Sequence, residues 1–384
     1  MGQRVLLVAE DKAEQSALLS LLAEEGYRVD YRESVDDLVP AVENASYDCV
    51  LIGPQGGQAD LVETVEFIRR HRPLETLPVI VLAEGAASAR SIEALRAGAS
   101  AAVPLPWKGK HLLAVLDVHL RLTRRFAELK GQLENNRLQH AQLQADLELG
   151  QQVQLSFLPP SQLRTEYFSL EARLFAGGDL SGDYFDYALL TPQRLVVFLA
   201  DVSGHGIASA LLANRLKAFF DENSRSAHRP RLFMERLNRV ILDLGDHYHI
   251  ATAVCVHIDI AETVITYASG GHRTMYWLDT EGENHTELPA TGPALGMFKE
   301  FEINEVNRGF MPGRNRLVAY TDGLVEFKLA DDKWITEERF RDEVMLPKAG
   351  LQLASYVNSL LEGSRALTGK SGWDDDVSLL VADF

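Results

Sequence analysis

The chain has 384 residues, 46% of them hydrophobic and 24% charged, so it is long enough for two or three folded domains and too apolar to be disordered. Its net charge of −17 repels phosphate backbones, which argues against a nucleic-acid partner and for a multivalent cation. No apolar run approaches the ~20 residues needed to span a bilayer, and the N-terminus enters VLLVAED with no leader pattern. Cys49 and Cys255 stand alone in apolar, strand-like runs without metal-ligand spacing, so a cytoplasmic protein with buried free thiols and no membrane contact is expected. The basic cluster Arg121, Arg124 and Arg125 heads a charged helix and reads as a solvated face.

Val5–Val8 is apolar throughout, the mark of a parallel strand buried on both faces. A helical pattern follows, with Leu18, Leu19 and Leu22 on one face, ending at Gly26. The alternation continues through a strand near Tyr27–Tyr31, a helix from Ser34, strand Cys49–Ile52 and helix Leu61–Arg70. Strand Val79–Leu82, helix Ser88–Arg96, strand Ala101–Val103 and a helix from Lys108 complete it. Strands alternating with helices in this way predict an α/β doubly wound parallel sheet over residues 1–118.

This order resembles the CheY-like receiver domain of two-component response regulators, which is phosphorylated on an aspartate after its third strand. At the positions that carry the chemistry this sequence differs. The acidic pair falls on Ala9 and Glu10, with Asp11 just beyond, and the phosphoacceptor position is Gly53. The hydroxyl position is Ala83, and the lysine position is Leu105, before Pro106. Gly53 has no carboxylate to act as nucleophile. Asp48 lies at the wrong end of its strand and Asp60 beyond a Gly-rich loop, and both read as turn residues. A pseudo-receiver that contacts an unidentified protein is the expectation.

From His119 to Phe157 there is no proline. Leu122, Phe126, Leu129, Leu133, Asn136, His140, Leu143 and Leu147 fall at alternating spacings of four and three, an a/d seam. A coiled-coil linker over residues 119–158 that holds a homodimer is expected, with Asn136 and His140 able to set register; the alternative is packing on a flanking domain. Pro159-Pro160 stops the helix. The segment QQVQLSFLPP resembles the stretch preceding the phosphatase domain of RsbU-like and SpoIIE-like proteins.

Residues 159–384 read as strands and turns with helices near Ile207–Asp221, Arg231–Leu244 and Gln352–Leu367, an α+β arrangement with a β-sandwich flanked by helices. Four aspartates sit at strand ends or Gly turns: Asp183 in SGDYFD, Asp201 in LADVSGHG, Asp322 in YTDGLVE and Asp375 in WDDDVSLL. Any one alone reads as a turn. Four around one set of strands do not, and an oxygen-only set without His or Cys suits Mg²⁺ or Mn²⁺ rather than zinc.

At these residues the chain resembles the PPM family of metal-dependent protein phosphatases, in its SpoIIE-like and RsbU-like branch. The motifs are GDYFD at 182–186, DVSGHG at 201–206, GGH at 270–272, GPALG at 292–296, TDG at 321–323 and DDVS at 375–378. The resemblance implies two divalent cations, Mn²⁺ or Mg²⁺. Asp201 would bridge them, with the Val202 carbonyl as a further ligand. Asp322 and Asp375 would hold one ion and Asp183 the other, with Asp186 and Asp376 in support. Gly204 and Gly206 would form a tight strand-to-helix turn. His205 is a candidate proton donor to the leaving oxygen or else a packing residue, and His272 reads as structural.

The implied reaction is hydrolysis of protein phosphoserine or phosphothreonine by a water activated between two metals. The implied substrate is a phosphorylated STAS-type anti-sigma-factor antagonist in a partner-switching pathway. The competing reading is a catalytically silent phosphatase-like adaptor that binds a sigma factor or its regulator. The four aspartates favour catalysis, because converging carboxylates repel one another unless a cation neutralises them.

Overall fold

Alternate residues of the N-terminal strands enter two different cores, which explains their unbroken apolar runs. In the computed structural model the described residues are 2–33, 38, 41–42, 46–53, 61–85, 88–204, 206–243, 250–280, 284–311, 313–327, 334–368 and 372–384. They divide into two units, Met1–Gln142 and Leu143–Phe384.

In the first unit, β1 (Arg4–Val8), β2 (Arg28–Arg32), β3 (Cys49–Ile52), β4 (Val79–Glu84) and β5 (Ala101–Leu105) form one sheet in the order β2-β1-β3-β4-β5. All neighbours pair in parallel. The connecting helices are α1 (Lys12–Glu24), α2 (Leu61–His71), α3 (Ala89–Arg96) and α4 (Gly109–Ser156). Val5, Leu7, Leu51 and Ile80 pack with Leu18 and Leu22 of α1 and Leu112 and Leu116 of α4. Leu6, Val8, Val50 and Val81 face the other way, against Val65 and Ile68 of α2 and Ala94 of α3. Helices therefore cover both faces, in the strand order of the flavodoxin- and CheY-like doubly wound fold. Most of the expected helix from Ser34 lies outside the described residues, as does Asp60.

The receiver positions are closed as well as unarmed. Ala9 is buried, and its carbonyl accepts from the Tyr31 hydroxyl at 2.7 Å. Asp11 is committed to capping α1, accepting from the backbone N–H groups of Ala13 and Glu14 at 2.7 and 3.0 Å. The Gly53 N–H donates to Val8 O at 2.7 Å, and a Cβ on residue 53 would stand only 2.9 Å from the Ala9 Cβ. Asp48 accepts from the Arg4 N–H at 2.7 Å, away from that end of the strand.

Helix α4 is one element of 48 residues, so the last receiver helix and the expected linker are continuous and no break falls at residue 118. Its first turns are buried through Leu112, Leu116 and Leu120, whereas every residue from Arg124 to Asp146 is exposed. No helix of the described residues is long and apolar enough to cross a membrane.

The second unit stacks two antiparallel sheets. Its strands are β6 (Gln162–Arg164), β7 (Ser169–Phe175), β8 (Tyr184–Thr191), β9 (Arg194–Val202), β10 (Ala251–Asp259), β11 (Val264–Gly270), β12 (Met275–Asp279), β13 (His285–Leu288), β14 (Val306–Gly309), β15 (Asn315–Tyr320) and β16 (Val377–Asp383). One sheet has the order β14-β11-β10-β9-β8 and the other β13-β12-β15-β16-β7-β6. Between them lie Val197, Leu199, Val254, Leu170, Leu317 and Leu380. The intervening residues Val196, Phe198 and Ala200 point outward against Leu216 of α5 (Ile207–Asn223) and Phe233 of α6 (Pro230–Leu242). On the opposite side Val318, Tyr320 and Leu379 meet Phe340 of α7 (Glu337–Phe340) and Tyr356 of α8 (Leu353–Thr368). The result is the expected helix-flanked sandwich, with central strands buried on both faces. Each such large side chain contributes about 1.5–3 kcal/mol on burial.

Candidate active site

Antiparallel pairing brings the end of one strand beside the start of its neighbour, and this places the aspartates. In the first sheet Tyr184 of β8 faces Ala200 of β9, so Asp183, just before β8, lies beside Asp201 and Val202 at the end of β9. In the second sheet Tyr320 of β15 faces Leu379 of β16, so Asp322 follows β15 where Asp375 and Asp376 precede β16. Hydrogen bonds join the two edges. Thr321 Oγ1 donates to Asp183 Oδ2 at 2.6 Å and accepts from the Ser378 N–H at 2.8 Å. Asp376 accepts from the N–H groups of Gly177 and Gly182 at 2.8 and 2.6 Å.

The loops are drawn together so closely that two positions admit only glycine. A Cβ at residue 323 would stand 2.1 Å from Asp376 O, and one at residue 177 would stand 2.4 Å from the Asp375 carbonyl carbon. The turn from β9 into α5 carries Gly204 and Gly206 at φ 88° and 94°, as expected of a tight strand-to-helix turn. His205 between them lies outside the described residues.

The electrostatics report a shared site. Burial raises the Asp183 carboxyl well above its usual range, and Asp201 adds to the rise. Burial, then Asp322, Asp375 and Asp376, push Asp201 up to about 7, with Arg273 pulling against them. Asp322 is raised by burial and by Asp375, again opposed by Arg273. The four principal aspartates are thus linked through one another's fields. Among the described residues, no three His, Cys, Asp or Glu side chains are gathered closely enough to ring one ion. The fit to a metal rests instead on donor chemistry. The donors are carboxylates and a backbone carbonyl at Val202, their mutual repulsion exceeds what one guanidinium offsets, and hard divalent cations take such oxygens.

Two acidic neighbours have other partners. Asp186 accepts from the Tyr184 hydroxyl, from Lys217 Nζ at 3.1 Å and from the Tyr187 N–H at 2.8 Å, so it ties β8 to α5. Asp376 braces the glycine loops. His272 is buried, its Nδ1 lies 2.9 Å from Thr252 Oγ1, and Thr252 pairs with Asp201 across β9 and β10. Burial pushes its imidazole down to about 4, so it is neutral at neutral pH and suits the expected structural role.

Three contributors were not singled out from the sequence. Thr321 is the bridge described above. Gln154, in the last turn of α4, is buried and bonded through its amide to both backbone groups of Ser181. Arg273 follows the GGH motif and is the cation whose field reaches Asp201 and Asp322. Beside the site a groove of about 600 Å³ opens, with Leu143, Leu147, Leu180 and Ile207 among its walls and Asp374–Asp376 at its margin.

The sandwich also has counterparts among known proteins. The chain is 31% identical to phosphoserine phosphatase RsbP of Bacillus subtilis over 185 residues, covering 47% of this chain and 45% of RsbP. It is 23% identical to phosphoserine phosphatase RsbU of the same organism over 185 residues, covering 48% of this chain and 55% of RsbU. The chain spans about half the length of these curated relatives. In fold it is similar to the SiaA-PP2C domain of Pseudomonas aeruginosa, with a TM-score of 0.56 at 16% identity, covering 64% of this chain and 98% of that one. The family model for stage II sporulation protein E (SpoIIE) matches residues 191–384, half of the chain, and takes in Asp201, Asp322 and Asp375. The chain belongs to the SpoIIE family.

Proposed function

We propose that the second unit is a metal-dependent phosphatase that hydrolyses phosphoserine or phosphothreonine on a protein. The observation that carries this reading is the raised carboxyl of Asp201, lifted to about 7 by burial and by Asp322, Asp375 and Asp376. Such a set is unfavourable by itself and becomes favourable around cations. The names of RsbP and RsbU, both phosphoserine phosphatases, support the same activity.

Asp201 with the Val202 carbonyl, Asp322 with Asp375, and Asp183 would hold two divalent cations, Mn²⁺ or Mg²⁺. Bound there, the cations would supply the positive charge that admits a phosphate among aspartates and would acidify a water for attack on phosphorus. The chain's own residues orient the site. Thr321 fixes one Asp183 oxygen, Asp376 pins the Gly177 and Gly182 loops, and neutral His272 braces Thr252 opposite Asp201. His205, between two glycines of left-handed backbone, would donate a proton to the leaving oxygen. The groove beside Asp374–Asp376, part apolar and part acidic, offers a face for a folded phosphoprotein, for which a STAS-type anti-sigma-factor antagonist is the proposed substrate.

The exposed seam of α4 supports a homodimer through this helix, and the unarmed first unit supports binding of a regulatory protein there. The deciding experiment is hydrolysis of a phosphoserine peptide with Mn²⁺, Mg²⁺ or chelator, for wild type and Asp201→Asn. Metal-dependent turnover that the variant loses supports the enzyme. Absence of turnover with either metal overturns it in favour of a phosphatase-like adaptor.

A further inference from the structure

Arg273 is placed beside the acidic site by a short chain of contacts. It follows His272, which is fixed by Thr252, and Thr252 is the cross-strand neighbour of Asp201. Its Nη1 donates to Glu337 Oε1 at 2.5 Å, and its Nη2 donates to Glu326 Oε1. The Glu326 N–H in turn donates to Asp322 O at 2.6 Å, so the guanidinium reaches the turn that carries Asp322. A positive group thus stands against the turn that carries Asp322, and its field reaches both Asp201 and Asp322.

One of its two present partners is a weak holder. The Glu326 side chain is 55% exposed, and an ion pair so open to water adds little and is easily exchanged. The two carboxylates meet Nη1 and Nη2 separately, each through one oxygen. A phosphomonoester dianion offers two oxygens at the spacing of one planar fork, which suits a guanidinium better than two glutamates arriving from different elements.

We propose that Arg273 recognises the phosphoryl group of the substrate, exchanging Glu326 and Glu337 for two phosphoryl oxygens. The proposal rests on the phosphatase reading and assigns its substrate anchor. The competing account makes Arg273 a clasp that only holds the Asp322 turn through Glu326 and Glu337.

The test uses the full chain at saturating Mn²⁺, with a phosphoserine peptide for kinetics and inorganic phosphate for calorimetry. Arg273→Ala should raise KM by about 10- to 100-fold, the loss of a pair of charge-assisted hydrogen bonds, with a smaller change in kcat and an unchanged Mn²⁺ titration. Arg273→Lys, which keeps the charge and loses the fork, should recover part of the affinity. Glu326→Gln should leave KM equal or lower, because it removes a competitor. An unchanged KM and phosphate affinity in Arg273→Ala overturns the proposal. So does a loss in Glu326→Gln and Glu337→Gln that matches Arg273→Ala and comes with weakened Mn²⁺ binding. If the wild type binds phosphate through Arg273 yet turns nothing over, the anchor stands and the phosphatase reading falls.

Discussion

Gln154 and Ser181 are joined by two hydrogen bonds, the side-chain Nε2 donating to Ser181 O at 2.6 Å and the Ser181 N–H donating to Oε1 at 3.1 Å. Both residues are buried, and Ser181 lies two residues before Asp183. The last turn of α4 is therefore tied to the segment that carries a site aspartate. Gln154→Ala leaves two buried backbone groups without partners, at a cost of about 1–3 kcal/mol. The expected result is a lower melting temperature together with weaker Mn²⁺ binding. Thermal melts and a metal titration on the same sample check it, and an unaltered titration would confine the tie to stability.

Removing one aspartate should make the metal-free protein more stable. The Asp201 carboxyl is raised from 3.8 to about 7, so its ionisation opposes folding. That penalty is absent below about pH 4, grows as pH rises through the folded value, and is complete above it. Asp201→Asn removes it, with a gain of up to about 4 kcal/mol at pH 8 and much less at pH 5. Melts in chelator at the two pH values measure the gain. Added Mn²⁺ should reverse the ranking, because ligand binding stabilises the form that binds it.

His272 gives the opposite slope. Burial lowers its folded value from 6.5 to about 4, so the fold favours the neutral ring. Its contribution is fully present above pH 6.5 and is lost as pH falls towards 4, a total of about 3 kcal/mol. Urea unfolding between pH 7 and pH 4.5 should show the loss. His272→Gln should flatten that part of the profile.

The seam makes a separate prediction. Leu129 and Leu133 are about half exposed on α4, as are Leu122 and Leu143. Sedimentation should find a dimer that Leu129→Asp with Leu133→Asp converts to a monomer, because charge at a and d positions opposes pairing. A wild-type monomer at working concentration would remove the homodimer.

Asp201, Asp322 and Asp375 could be placed at strand ends from the sequence because each adjoins an apolar run, whereas Asp183 adjoins none and stood out only through its motif. The unarmed receiver was legible because its chemistry depends on single side chains, and Gly53, Ala83 and Leu105 lack them. Three consecutive aspartates, 374–376, defeat such reading, since backbone direction alone decides that Asp376 turns to the Gly177 and Gly182 N–H groups. Gln154 could not be told from Gln151 and Gln152, because its role depends on a partner 27 residues away. Helix α4 runs on through residue 118 for a local reason. Neither Pro nor a cap interrupts α4 there, and the Asp117–Arg121 pair at 3.0 Å spans the junction at helical spacing.

The closed position at Gly53 has a consequence for timing. A phosphorylated receiver remembers its input for as long as the acyl phosphate survives. Gly53→Asp alone would not restore that memory, because its Cβ would meet Ala9 at 2.9 Å and Asp11 is already spent on α1. If the proposed regulatory protein binds this unit, its input would last only while that protein stays bound, so residence time would set the persistence of the signal and partner concentration its strength.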